Sequence, residues 1–368
     1  MRVLFLTTSF PTAASPAAGI FVLEHARAAA RHADIAVLHL DRSGGFGVER
    51  VADAEFPTWR ARYPARPVPL TTTAHLAAAA VGYRGVRRSG FDPDVVHAHF
   101  FLAGVPAVLL RRPVVVTEQW SIFLREDPMR LTPLLRRAAR FAFERAELVL
   151  PTSEALRHGI EREGIRGRFR VVPNTVDTEL FRPNGGHAES PRLVAVGLLY
   201  QAKGYEFLLE AIARVERKLR LEIVGDGPLR GQLEALTDEL GVRDRVAFRG
   251  LLPKPEVARA LREADALVLT SRYDNNPCAV IEGLASGLPV VATAVGGVPE
   301  LIDDGNGLLA RPEDPESISG RITELLDGLD RYDSAAISEA ARERFGRARV
   351  GDQLAQAYAE ALELRHRR

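Results

Sequence analysis

Cysteine is almost absent from this sequence: Cys278 stands alone among 368 residues. A single thiol excludes an intrachain disulfide framework and any cysteine-based metal cluster. Lysine is nearly as scarce, occurring only at positions 203, 218 and 254, so arginine carries almost all the positive charge. No apolar run approaches the roughly 18 residues of a membrane span. The opening strand-like stretch Arg2–Thr8 is short, and Ser9-Phe10-Pro11 leads into patterned sequence instead of a cleavage site. Aromatic residues make up only 7%, and no basic cluster interleaved with aromatics is present, which argues against a nucleic-acid partner. A cytoplasmic protein is expected.

What is present fits a globular protein of two domains. The chain is too long for one ordinary domain, and 46% hydrophobic with 26% charged residues allows sizeable cores. The net charge of +1 conceals an asymmetry. Residues 1–175 hold 24 arginines against 16 acids, whereas the remainder holds 25 basic residues against 32 acids. A basic first half points to an anionic partner or an acidic membrane surface. A merely solvated arginine-rich face explains it equally well.

Short apolar runs alternate with helical patterns, twice over. In the first half Val3–Leu6, Ile35–Leu40, Val95–His97, Val114–Thr117, Leu148–Leu150 and Arg170–Val172 read as strands. Helical patterns cover Phe21–Arg31, Leu102–Leu110, Pro133–Arg145 and Glu154–Glu163. In the second half the strands are Leu193–Val196, Leu221–Val224, Val246–Phe248, Ala266–Leu269 and Val290–Ala292. Its helices are Tyr205–Arg217, Leu229–Leu240, Glu256–Glu263 and Cys278–Ser286. Buried strands alternating with helices predict parallel sheets covered on both faces. The expected architecture is therefore α/β, with two doubly wound Rossmann-like domains facing a cleft. The turn-rich stretch 181–190 divides them into domains 1–180 and 181–347. Ala146–Leu150 echoes Ala264–Leu269 in pattern, which marks both as sheet strands. Residues 41–70, rich in Gly, Pro and Arg, read as an excursion between strands.

The chemistry gathers in the second half. The strand ending at Val196 is followed by Gly197-Leu198-Leu199-Tyr200-Gln201-Ala202-Lys203-Gly204. Glycine permits close backbone approach, and lysine offers a compact charge beside phosphates. Gly225-Asp226-Gly227-Pro228 follows the next strand, and Gly296-Gly297 a later one. The strongest motif runs from Ser271 through Asp274, Asn276-Pro277-Cys278-Ala279-Val280, Glu282 and Gly283-Leu284-Ala285-Ser286-Gly287-Leu288-Pro289. Here a loop enters a helix whose first N–H groups can receive a diphosphate. Asp274 and Glu282 bracket that turn, and carboxylates suit the diols of sugar and ribose. Each feature has a plainer reading: a solvated lysine, a tight turn, a helix cap or an ion pair.

In their order these motifs resemble the retaining GT-B glycosyltransferases of family 4. The likeness spans nearly the whole chain, including Pro16–Glu24, Asp94–His99 and Val171–Asp177. It implies that Lys203 meets the donor diphosphate, Glu282 the ribose and Asp274 the transferred sugar. Gly19 would lie near the phosphates and Leu251 near the base, with Gly197, Gly225 and residues 276–280 completing the donor site. His99, Gln119 and Asn174 would belong to the acceptor side, and a last helix at about 348–366 would cross back to the first domain. Three departures stand out. Asp274 occupies a position usually held by Glu, Leu198 replaces an expected arginine, and Gln119 follows Thr117-Glu118 where histidine is usual. Gln119 cannot titrate, which leaves His99 or Glu118 as candidate catalytic groups.

The resemblance implies a metal-independent transferase that moves sugar from a UDP- or GDP-sugar to an acceptor hydroxyl with retention. No cofactor is expected. The acceptor is a glycan, a lipid-linked saccharide or a small metabolite. The Asp92-Pro93-Asp94 pair could hold a cation in principle, but it precedes its strand, and ligands in such folds bind beyond the carboxyl ends. Two alternatives remain: a nucleotide-sugar epimerase and an inactive nucleotide-sugar-binding protein. Finally, the arginine-rich helix around 130–145 is a candidate for peripheral contact with the inner membrane face, unless its apolar members are core.

Overall fold

The computed structural model describes residues 1–12, 15–64, 70–183 and 191–367. Two compact units divide the chain. One comprises Met1–Phe123, Met129–Thr175 and Arg347–Arg368, the other Leu124–Pro128 and Val176–Gly346. The change of unit thus falls at Val176, ahead of the 181–190 stretch, of which residues 184–190 lie outside the described residues.

The first unit is built, in chain order, from β1 (Arg2–Thr7), α1 (Ile20–Ala29), β2 (Asp34–Asp41), β3 (Gly47–Val51), β4 (Thr58–Arg62), α2 (Leu70–Arg88), β5 (Val95–His99), α3 (Phe100–Ala107), β6 (Val114–Glu118), α4 (Pro133–Phe143), β7 (Leu148–Pro151) and α5 (Glu154–Arg162). Its seven strands lie in the order β3-β4-β2-β1-β5-β6-β7, parallel except for β3. Alternate side chains on each strand face opposite layers. Val3, Phe5, Val37, Val95 and Val115 pack against α1 and the C-terminal helix Arg347–His366. On the other face Gly82 of α2 lies against Leu38, and Gly104 of α3 fits between Val116 and Ala142 of α4. With both faces covered, β1, β5 and β6 are buried almost throughout, and each opens with or contains an apolar run.

Several elements depart from expectation. The stretch 41–70, read as an irregular excursion, contains the antiparallel pair β3/β4 at the sheet edge and leads into α2. Arg170–Val172, read as a strand, joins no ladder. It makes only single contacts, Arg170 N–H to Val149 O at 3.0 Å and Val172 N–H to Pro151 O at 3.0 Å.

The second unit comprises β8 (Arg192–Val196), α6 (Tyr205–Arg214), β9 (Arg220–Val224), α7 (Arg230–Glu239), β10 (Val246–Gly250), α8 (Lys254–Arg262), β11 (Ala266–Leu269), α9 (Cys278–Ala285), β12 (Val290–Thr293), β13 (Gly307–Ala310), α10 (Pro315–Asp327) and α11 (Ser334–Phe345). All six strands are parallel, in the order β10-β9-β8-β11-β12-β13. Leu193, Ala195, Leu221, Ile223 and Val268 face α6, α7 and α10, while Val194, Leu267, Leu269 and Val290 face α8, α9 and α11.

Three acids stitch strand beginnings together in both units. Asp94, Glu147 and Asp265 each stand immediately before a strand. Each carboxylate accepts the first backbone N–H of the neighbouring strand: Arg2 at 2.8 Å, Val114 at 2.7 Å and Arg192 at 2.8 Å. Each acid's own N–H returns a bond to the same residue's carbonyl at 2.8–2.9 Å. The echo between 146–150 and 264–269 therefore has a cause beyond burial: both stretches carry this clamp.

Candidate active site

In an open doubly wound sheet, ligands bind beyond the carboxyl ends of strands where the strand order reverses. In the second unit that reversal lies between β8 and β11. The loop after β8 delivers Lys203 and the loop after β11 delivers Asp274. Their side chains meet there, with Lys203 Nζ 2.6 Å from Asp274 Oδ2. Ser271 Oγ donates to the same oxygen at 3.1 Å, and Asn275 N–H holds Oδ1 at 3.0 Å. The lysine backbone is set by Thr270, whose hydroxyl reaches the carbonyls of Lys203 and Gly204 at 3.2 and 3.0 Å.

A second pair lies on α9. Glu282 is buried, and Lys254 Nζ at the start of α8 donates to its Oε1 at 2.6 Å while sitting 5.3 Å from the Phe181 ring centroid. Two of the chain's three lysines thus close on the two motif carboxylates. Lys254 was not singled out from the sequence; its rarity as a residue type was the one available signal. Arg272, in the same loop as Asp274, is committed elsewhere, to Glu206 at 2.7 Å and to Glu313.

Around these pairs the loops after β8, β9 and β10 lock together. Gly197 N–H donates to Val224 O at 3.0 Å and Gly225 N–H to Gly250 O at 2.9 Å. Gly225 has φ 149°, and a Cβ there would sit 1.9 Å from Gly197 O, so no other residue fits. Leu198, Tyr200 and Leu251, beside this seam, are 40–51% exposed. Such exposed apolar side chains in one loop cluster suit a planar ligand. Pro277 precedes α9, and Cys278, partly buried, takes its first position. Residues 276–280 therefore form the entry to this helix, with its N-terminal N–H groups beside the Asp274 loop. Gly297 N–H returns to Asp274 O at 3.3 Å.

The first unit reverses strand order between β1 and β5. Gly19, in the loop after β1, caps α1 in the left-handed region at φ 64°, and a Cβ would lie 2.3 Å from Ser9 O. His99 ends β5. It is wholly buried, packs 4.5 Å from His97 and 5.2 Å from Phe5 between ring centroids, and among the described residues neither ring nitrogen has a hydrogen-bond partner. Burial holds its imidazole well below the usual range, followed by repulsion from His97 and His25. His97 bonds to Tyr358 at 2.8 Å and Thr117 at 2.7 Å. His25, lowered to about 4 by burial, reaches Pro173 O at 3.0 Å.

Glu118 ends β6, also wholly buried. Its carboxylate accepts the N–H groups of Phe101, Gln119 and Trp120 at 2.8–2.9 Å, capping the start of α3. Burial raises its pKa to about 7, against the pull of those three bonds. Expected as titrating groups in place of the missing histidine, His99 and Glu118 are instead enclosed: one ring has no solvent access, and one carboxylate is spent on backbone. Gln119 is partly buried, its Nε2 without a hydrogen-bond partner among the described residues, and Asn174 is buried beside Pro173.

The Asp92–Asp94 pair holds arginine and backbone. Asp92 accepts from Arg87 and Arg112 at 2.7–2.8 Å, and Asp94 is the β1 clamp. Among the described residues no three His, Cys, Asp or Glu side chains gather to hold a metal ion, and no helix is long and apolar enough to cross a membrane.

Two Rossmann-like units with this loop chemistry define a GT-B glycosyltransferase. Residues 190–328 match the family model of glycosyl transferases group 1, and residues 18–180 that of Glycosyltransferase Family 4. The MMP alpha-(1->4)-mannosyltransferase of Mycolicibacterium hassiacum is 30% identical over 292 residues, 73% of this chain and 68% of that protein. The alpha-D-kanosaminyltransferase of Streptomyces kanamyceticus is 29% identical over 72% of this chain and 77% of its own. Among solved structures, sucrose-phosphate synthase from Thermosynechococcus elongatus has a TM-score of 0.80 at 21% identity, covering 98% of this chain and 99% of that one. Anabaena HepE in complex with UDP has 0.77 at 21%, covering 98% and 100%. The chain belongs to the family 4 glycosyltransferases.

Proposed function

We propose that the protein transfers a sugar from a UDP- or GDP-sugar to an acceptor hydroxyl with retention of anomeric configuration, without a metal ion. The observation that carries this reading is the pair of lysine–carboxylate contacts, Lys203–Asp274 and Lys254–Glu282, at and beside the strand-order reversal of the second sheet. Residues 181–347 take the donor. Lys203 and the first N–H groups of α9 meet its diphosphate, Glu282 the ribose hydroxyls, Asp274 the transferred sugar, and Leu251 with Leu198 the base. Residues 1–180 with the C-terminal helix take the acceptor, through Gln119 and Asn174, while Gly19 stays with the donor phosphates. Anabaena HepE, solved also with UDP-glucose, supports a nucleotide-sugar donor by its fold.

As the sugar–phosphate bond breaks, negative charge grows on the leaving diphosphate. Lys203 and the first N–H groups of α9, once engaged by the bound donor, would stabilise that charge with little further reorganisation. Lys203 would exchange Asp274 for phosphate as donor enters, which frees the carboxylate for sugar hydroxyls. His99 and Glu118 are enclosed and are not placed to remove the acceptor proton. The departing phosphate oxygen, on the same face as the incoming hydroxyl, can accept it, and same-face attack preserves configuration.

A thermal-shift panel of nucleotide sugars identifies the donor, because a ligand of the native state raises Tm by mass action. Proton NMR of the first-formed product then reads the anomeric coupling, and transfer is expected to survive EDTA. An inverted product, or activity abolished by chelation and restored by magnesium or manganese, overturns the mechanism.

A further inference from the structure

Helix α4 carries apolar residues on two faces. Ala139, Ala142 and Phe143 point inward and are fully buried. Leu134, Arg137, Ala138 and Phe141 share the opposite face at helical spacing. Leu134 is 58% exposed, and Met129, just before the helix, is 52% exposed. Phe141 is only partly buried, and Arg145 lies 4.1 Å over its ring. The apolar members are thus divided between core and surface, which the sequence pattern could not decide.

The charges on this face are equally unbalanced. Residues 129–145 contain five arginines and one acid. Arg136 and Arg140 pair with Glu163 and Glu144. Among the described residues Arg130 and Arg137 enter no ion pair. The first turn of α4 holds no acid, although a helix N-terminus favours one, and Thr132 alone caps it. Neither capping nor core packing accounts for Leu134 and Met129 exposed beside two bare guanidinium groups.

We propose that the outer face of α4, with Met129 and Arg130, docks on an anionic lipid bilayer. Arg130 and Arg137 would meet lipid phosphates while Leu134 and Met129 enter the boundary just beneath them. The partner follows from charge complementarity together with spacing. Apolar side chains set between cations suit a surface that is anionic at headgroup level and apolar a few ångströms deeper. The docking does not depend on the transfer reading.

The test is sedimentation of the full chain with phosphatidylcholine vesicles, with and without about one-third phosphatidylglycerol, at low and high salt. Binding is expected only with the anionic lipid and to weaken with salt. The double variant Arg130→Glu/Arg137→Glu should lose about tenfold or more in partitioning, and Leu134→Ser several-fold, both with unchanged Tm. Arg84→Glu/Arg88→Glu should bind as the parent does. These residues line a separate basic groove with Arg87 and Arg111, of about 650 Å³. Three results overturn the proposal. One is absence of anionic-vesicle binding, including the case where Leu134→Ser instead abolishes self-association seen by light scattering. Another is loss caused by Arg84→Glu/Arg88→Glu and not by the α4 variants. The last is equal affinity for soluble polyphosphate with no effect of Leu134→Ser, which would mean a polyanion site without a membrane component.

Discussion

Lysine and arginine are not interchangeable beside a phosphate, and this chain keeps two of its three lysines for the carboxylates of its candidate donor site. A lysine ammonium is a compact point charge that can leave a carboxylate for an incoming anion with little rearrangement. Lys203→Ala is expected to lower kcat/KM by about 1.5–3 kcal/mol of transition-state stabilisation, with Tm near the parent's. Lys254→Ala should weaken nucleotide affinity, since Glu282 loses the group that orients it. Asp265→Ala should do the reverse: about 1–3 kcal/mol of stability lost at a buried strand clamp, with nucleotide Kd of the folded protein unchanged. Chemical denaturation and isothermal calorimetry on the same three variants separate these outcomes. A Lys203→Ala enzyme with normal turnover would remove that residue from the site. Asp92-Pro93-Asp94 and Ala264-Asp265 look like different motifs in sequence, yet Asp94 and Asp265 perform the same backbone clamp. Carboxylates serve metals, diols and N–H groups alike, so only the register of neighbouring strands distinguishes their roles.

At the scale of elements, the central strands were legible because burial on both faces leaves near-continuous apolar runs such as Val114–Val116 and Ala266–Leu269. The edge pair β3/β4 was not, since its exposed positions break any period, and alanine-rich α2 offers little contrast between its faces. The site loops were legible as glycine, lysine and carboxylate in order. That His99 and Glu118 are sealed inside was not, because a strand-end position looks the same in sequence whether open or enclosed. Their neighbourhood has a consequence for acid stability. His25 of α1 with His97 and His99 of β5 are held neutral by burial, at about 4 for His25 and well below the usual value for the other two. Unfolded, each takes a proton near pH 6.5, so below that pH the unfolded chain binds more protons than the folded one. The stability is present above pH 6.5 and is lost as the pH falls toward 4, at about 1.4 kcal/mol per pH unit for each imidazole. Glu118, raised to about 7, takes up a proton in the folded chain over the same range and offsets one of the three imidazoles. Denaturant midpoints at pH 7, 6 and 5 should still fall, and His99→Leu should flatten the slope. A pH-independent midpoint would contradict this account.

At the scale of the whole molecule, the chain leaves its first unit at Thr175 and returns to it at Arg347. Val350, Leu354, Ala357, Tyr358 and Ala361 of the last helix are wholly buried in the core that contains β1 and α1, and Tyr358 also holds His97. Removing residues 347–368 should therefore cost the first unit its cooperative transition while the Val176–Gly346 unit keeps its own. Calorimetry of the truncated chain, with hydrogen exchange to assign each transition, checks this. Two intact transitions would show the last helix to be dispensable.

That return of the chain also orders events in time. Synthesis runs from the amino end, so the first unit's residues emerge long before the helix that completes their core. Val3, Phe5, Val22 and Ala26 would wait beside the ribosome with one apolar face uncovered, while the self-contained second unit closes ahead of them. The half made first is then the half finished last, and its dependence on chaperones during translation should exceed that of the half made after it.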